Sequence, residues 1–203
     1  MSEKSILLVE GNNDKHVVLA LRDKYNLPKS FEITNCNDVE NLIKQIPFRI
    51  KNGTEILGVL LDADENINSR WLELKKIFEE IDFNMPNELP AEGFITTNNE
   101  NIKIGIWIMP NNKTSGMLED FLVDLVSEDD KLMPFANEIL TKIEDSKINN
   151  YKLIHKTKAL IHTWLAWQKN PGNPMGQSIT HNYFNTSEAN CIIFSKWLDK
   201  LFN

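Results

Sequence analysis

Three acidic residues stand at the ends of two apolar runs. Glu10 closes the run Ser5–Val9 and is followed at once by Gly11, and Ile56–Leu61 ends in Asp62-Ala63-Asp64. Acids directly after buried strands carry a desolvation cost that calls for a compensating partner. An oxygen-only donor set suits a hard cation, Mg²⁺ or Mn²⁺, rather than zinc or copper. Asp62 and Asp64 are two residues apart, so an extended segment through Ala63 would aim both carboxylates to one side. Crowded carboxylates repel, and a divalent cation would relieve them while polarising a phosphoryl oxygen or activating a water. The expected catalytic set is therefore Glu10, Asp62 and Asp64. Glu119, at the start of a later amphipathic segment, is a fourth candidate ligand, with a first-turn acid facing the helix dipole as the alternative. Asp14 reads as a helix cap and Glu65 as exposed.

Other chemistry is thinly represented. The four histidines show no ligand spacing with one another or with Cys36 and Cys191, which argues against zinc. Walker, Gly-x-Gly-x-x-Gly and Gly-x-Ser-x-Gly signatures do not occur. Lys113, in the polar loop after Met109, is the first candidate for neutralising a phosphate, followed by Lys156 and Lys158. Trp164, Trp167 and Trp197 could stack on bases, but their helical spacing in apolar segments reads as core.

The elements that must position these residues follow from periodicity. Ser5–Val9 and Ile56–Leu61 are continuously apolar, the pattern of parallel strands buried on both faces. A helix from about Asp14 presents Val17, Val18, Leu21 and Tyr25. Phe31–Thr34 is a short strand. Asp38 caps a helix carrying Val39, Leu42, Ile43 and Ile46, which Pro47 should end. Ile67, Trp71, Leu74, Phe78 and Ile81 form one helical stripe. Phe94–Thr97 and Ile102–Met109 read as strands joined by a polar turn. Leu118, Phe121, Leu122 and Leu125 make a helix, and the stripe Leu132, Ala136, Ile139 and Ile143 another. Lys156–Lys169 is apolar nearly all round and reads as a buried helix. Pro171–Gly176 breaks the chain before a last helix from about Glu188 to Leu201. Strands alternating with helices predict an α/β fold with a mostly parallel sheet flanked by helices. The expected division is a core over 1–126 and an all-helical extension over 127–203 packed upon it.

Composition narrows the class. Of the 203 residues 41% are hydrophobic and 25% charged, which fits a globular protein with a substantial core and no membrane span. The start of the chain shows no leader pattern, and two cysteines make no disulfide framework, so a cytoplasmic protein is expected. The net charge of -7 is uneven: 15 Lys and Arg face 27 Asp and Glu through Asp145, and 7 face 2 thereafter. A basic appendage on an acidic body suits a polyanion, DNA or RNA, although the lysines equally describe a solvated helix face. The acidic total argues against tight nonspecific duplex binding and leaves room for a partner protein that delivers the substrate.

Val9-Glu10-Gly11-Asn12-Asn13-Asp14 resembles the first motif of the Toprim domain, shared by type IA and II topoisomerases, primases and several nucleases. Asp62-Ala63-Asp64 resembles its Asp-x-Asp motif, and the intervening β-α-β-α-β spacing is similar. The resemblance spans roughly residues 5–126. It implies a Toprim-like core in which Glu10 is the acid/base and Asp62 and Asp64 hold Mg²⁺. The stretch from Lys158 through Trp164-Leu165-Ala166-Trp167 to Pro171–Gln177 is similar to the tail of a small prokaryotic family with a Toprim-like core and a helical extension, which implies a fold and not a reaction. The expected function is Mg²⁺-dependent phosphoryl transfer, as in a nuclease. A non-catalytic nucleotide- or nucleic-acid-binding relative is the alternative. A receiver domain with Asp62 as phosphoacceptor ranks lower, because Gly11 stands where receivers carry a second acid.

Overall fold

The computed structural model describes residues 4–203. Met1, Ser2 and Glu3, where the reading of the chain's start falls, lie outside the described residues. The first half alternates strand and helix as the periodicity predicts: β1 (Ser5–Val9), α1 (Asn12–Lys24), β2 (Glu32–Asn35), α2 (Val39–Lys51), β3 (Ile56–Asp62), α3 (Ile67–Glu79), β4 (Phe94–Thr97) and β5 (Lys103–Met109). The strands form one five-stranded sheet in the order β2-β1-β3-β5-β4. The first four in that order are parallel; β4 returns antiparallel on the edge beyond β5. The rest of the chain is helical: α4 (Leu118–Val123), α5 (Leu132–Asp145), a 3₁₀ turn at Leu153–His155, α6 (Lys156–Ala166), α7 (Met175–Thr180) and α8 (Ala189–Phe202).

The continuous apolar character of β1 and β3 has its cause in this layering. Ile6, Leu8, Leu57, Val59 and Leu61 face α2 and α3, and Leu7, Val9 and Leu60 face α1 and the carboxy-terminal helices. The second face is sealed by α8. Gly58 and Gly105 are register partners on β3 and β5. A Cβ on either would come within 3.0 Å of a Leu201 methyl carbon, so these glycines let α8 lie directly on the sheet. Trp107 of β5 packs edge-on to Phe194, and Phe31 stacks on Phe202 at 3.8 Å between ring centres. Trp164 and Trp197 are buried core residues, and their indole N–H groups donate to Asp130 Oδ1 and Phe94 O.

Three expectations about elements are corrected. Pro47 does not end α2, which continues to Lys51. Pro47 forfeits one backbone donor, but Leu42 and Ile46 stay buried on the face against the sheet, and that packing carries the helix past it. On α5 the buried positions are Ala136 and Leu140, while Ile139 is 43% exposed: the buried stripe passes through Leu140 instead. On α6 only one face is buried, since His162 and Ala166 are exposed. None of the described helices is long and apolar enough to cross a membrane.

Candidate active site

The strand order creates a crevice. From β1 the chain crosses by α1 to β2 on one side, then returns by α2 to β3 on the other. The carboxyl ends of β1 and β3 thus diverge at a topological switch point, where open parallel sheets bind ligands. Glu10 follows β1 there, and Asp62 is the last residue of β3. A Glu10 carboxylate oxygen accepts the Asp62 N–H at 3.3 Å. Asp62 Oδ1 in turn accepts the N–H of Leu118, the first residue of α4, at 2.9 Å. Three segments distant in sequence are tied together by these two bonds.

Asp14 joins them. Its Oδ2 accepts the Gly11 N–H at 3.0 Å, as a first-turn capping residue does, but its Oδ1 is buried with no hydrogen-bond partner. Sequence reasoning assigned Asp14 to the cap alone. The missed signal is its spacing: the first turn of a helix that begins directly after a strand points back at the strand's end. Together Glu10, Asp14, Asp62, Asp64 and Glu119 line one cavity of about 350 Å³, with Asn37, His155 and Lys158 at its margin.

The electrostatics follow from burial without neutralisation. Burial is the first cause that pushes Asp62 well above the carboxylate range, and the Asp14, Glu10 and Glu119 carboxylates add to it. Burial and the neighbouring Glu10 carry Asp14 to about 7. Glu10 is raised by burial, against the opposing pull of the Asp62 N–H.

The remaining expected site residues divide. Asp64 does not continue the strand. Its φ is +52°, and it forms an isolated antiparallel bridge with Gly116, N–H to carbonyl in both directions at 2.9 and 2.8 Å. The expected parallel aim of Asp62 and Asp64 is thereby lost, because the chain must turn at once to enter the loop before α3. Asp64 instead pairs with Arg70 at 2.9 Å, and Arg70 also binds Glu73 and the Asp62 carbonyl. The sequence does not mark Arg70, since a lone arginine on a helix carries no signal of its partner. Glu119 is buried and meets Lys158 of α6 at 3.2 Å. Lys156 is turned away and is committed to Glu144 at 2.6 Å. Lys113 lines a different cavity, with Trp71 and Asn87, because the loop after β5 folds over α3. Of the three lysines, only Lys158 stands at the acidic cavity.

Residues 4–203 match a family described as "Protein of unknown function (DUF3226)". The chain belongs to that family. No curated protein and no solved structure matches it. What this member of the family offers a ligand must therefore be read from its own side chains.

Among the described residues, no three acidic, histidine or cysteine side chains converge on one point closely enough to ligate an ion in this arrangement. The hydrogen bonds account for this: Asp62, Asp14, Asp64 and Glu119 each spend an oxygen on a protein partner. The donor chemistry still fits a hard cation. The set is all oxygen, the Asp14 Oδ1 is buried and unsatisfied, and Glu10, Asp14 and Asp62 lie next to one another without an ion pair of their own. Binding an ion requires these oxygens to exchange some of their present partners for it.

Proposed function

We propose that the acidic cavity is a divalent-cation centre for phosphoryl transfer on nucleic acid, in a core of Toprim-like type. The observation that carries this reading is Asp14, buried at the sheet's switch point with Oδ1 unsatisfied, beside the half-buried carboxylates of Glu10 and Asp62. Asp62 and Asp14 would hold Mg²⁺ or Mn²⁺, with Asp64 and Glu119 within reach of the same cavity. When bound, the ion supplies charge neutralisation for a phosphoryl oxygen and a more acidic water. Glu10, raised by burial, is suited to hold or release a proton at its carboxylate beside the reacting phosphate. Lys158, half-exposed at the margin, is placed to meet a phosphate oxygen once Glu119 turns to a cation. The buried, free cysteines agree with a reducing compartment such as the cytoplasm. Because few cations face the cavity, a partner protein that delivers the strand fits this reading as well.

A labelled-oligonucleotide degradation assay tests it. Cleavage that needs Mg²⁺ or Mn²⁺, stops with chelator and is lost in Glu10→Gln supports hydrolysis; intact strands at every metal concentration contradict it. A second reading is favoured by one observation: Arg70 and Lys158 already neutralise two of the five carboxylates. A module that binds nucleotide or nucleic acid without turnover would keep such pairs. Retained strand binding with no cleavage under any metal would select it.

A further inference from the structure

The acidic cavity does not stand alone. On one side it shares Asn12 and Asn13 with a groove of about 520 Å³ between α1 and α7. On the other it shares Asp64 with a depression of about 530 Å³ along α3, where Ser69 and Arg70 face Ile154 from the carboxy-terminal part. The three hollows adjoin through these shared residues and make a track, with the carboxylates in the middle.

The α1–α7 groove has a distinct chemistry. Its polar side chains are the amides of Asn12, Asn13 and Gln177 and the imidazole of His16; Ala20 and Pro174 give it apolar surface. No hydrogen bond among the described residues uses those four polar side chains, whereas Thr180 is turned back onto the Gly176 carbonyl at 3.3 Å. Its lining holds no lysine or arginine. The two helices are held in contact at Gly176, where a Cβ would lie 2.5 Å from the His16 carbonyl oxygen, so the groove's width is set by backbone against backbone. Amide groups present a donor and an acceptor side by side, the pattern that reads the edge of a nucleobase, and an imidazole ring can stack on its face. A groove for phosphate would be cationic; this one is neutral.

We infer that the substrate is an extended single strand of nucleic acid, running along this track with one base read in the α1–α7 groove. This rests on the proposed phosphoryl-transfer reading of the acidic cavity and deepens it. A duplex hides the Watson–Crick edges and the base faces, which only an unpaired strand offers to the amides and the imidazole, and the scarcity of cations along the track gives little grip on two backbones. Gln177 and His16 are then specificity-determining residues that leave the metal site untouched, since neither lines the acidic cavity.

The test uses the full chain, a fluorescein-labelled eight-nucleotide single strand and its duplex, followed by anisotropy with Ca²⁺ in place of Mg²⁺. A parallel Mg²⁺ titration by calorimetry reports on the acidic cavity. Both side chains are exposed, so His16→Ala/Gln177→Ala leaves the fold intact. The expected result is tighter binding of single strand than duplex, a loss of about tenfold in strand affinity in the double variant, and unchanged Mg²⁺ uptake. Equal strand affinity in wild type and double variant overturns the inference, as does equal affinity for duplex. Mg²⁺ uptake with no strand binding overturns it while sparing the metal reading. Absent Mg²⁺ uptake with the tenfold loss intact sinks the metal reading and upholds the groove.

Discussion

Two kinds of carboxylate line the same cavity. Asp64 and Glu119, an outer pair by their ion pairs and not by exposure, since Glu119 is itself buried, each have a cation: Arg70 at 2.9 Å and Lys158 at 3.2 Å. Glu10, Asp14 and Asp62, the inner trio, accept only backbone N–H groups. Each carboxylate of the outer pair meets a cation whose attraction offsets part of its desolvation. In the inner trio Asp14 is buried and Glu10 and Asp62 half-buried, and desolvation together with like charge pushes Asp14 to about 7 and Asp62 well upward. A fold able to place Arg70 and Lys158 within a few ångströms leaves these three acids without an ion pair. That contrast points to a cation from outside.

The largest expected effect breaks the inner trio. Asp62→Asn keeps an acceptor for the Leu118 N–H while removing the charge, and should lower metal-dependent cleavage at least about 100-fold, measured as initial rate on a labelled strand. Asp14→Asn comes next. It removes a buried, unsatisfied charge, so the metal-free protein should melt about 4 °C higher by calorimetric scan while losing affinity for Mg²⁺. The same residue sets a pH dependence. Its ordinary value is 3.8 and its folded value about 7. Between those values the native state binds more protons at Asp14 than the unfolded one, so this residue's contribution to metal-free stability is greatest below about pH 4 and is lost as pH rises through 7. Saturating Mg²⁺ should flatten that slope, and urea midpoints across pH with and without the ion would check it.

The outer pair answers with smaller effects of opposite sign. Lys158→Met strips Glu119 of its cation and makes the cavity more negative, so Mg²⁺ affinity should tighten by about threefold in an isothermal titration. Weaker binding in that variant would mean that Lys158 assists the ion. Smallest of all, Lys113→Ala and Lys156→Ala should leave Mg²⁺ uptake unchanged. One lines another cavity, and the other is held by Glu144.

The parts of the fold legible in the sequence were those where one physical signal dominates. Continuous apolar runs mark β1 and β3, which are buried on both faces, and the stripe through Trp71, Leu74 and Phe78 marks α3, which is buried on one. Pro47 misled because a local rule was overridden by packing on the sheet. The short helix α7 was missed because it is held by contact with α1 at Gly176 rather than by a stripe of its own. In the site, Glu10 and Asp62 are legible from their position after strands, and Glu119 from its place at the start of a helix. Asp14 was hidden by its second role as a cap. Arg70, Lys158 and Lys113 were sorted by tertiary contacts, which no spacing in the chain encodes.

The central claim is that the inner trio takes a divalent cation that the fold itself does not supply. Titrating Mg²⁺ and Mn²⁺ into the protein and into Asp14→Asn/Asp62→Asn by calorimetry tests it most directly. Saturable uptake by the native chain, absent in the double variant, is the result predicted here. Equal uptake by both, or none by the native chain, would contradict it.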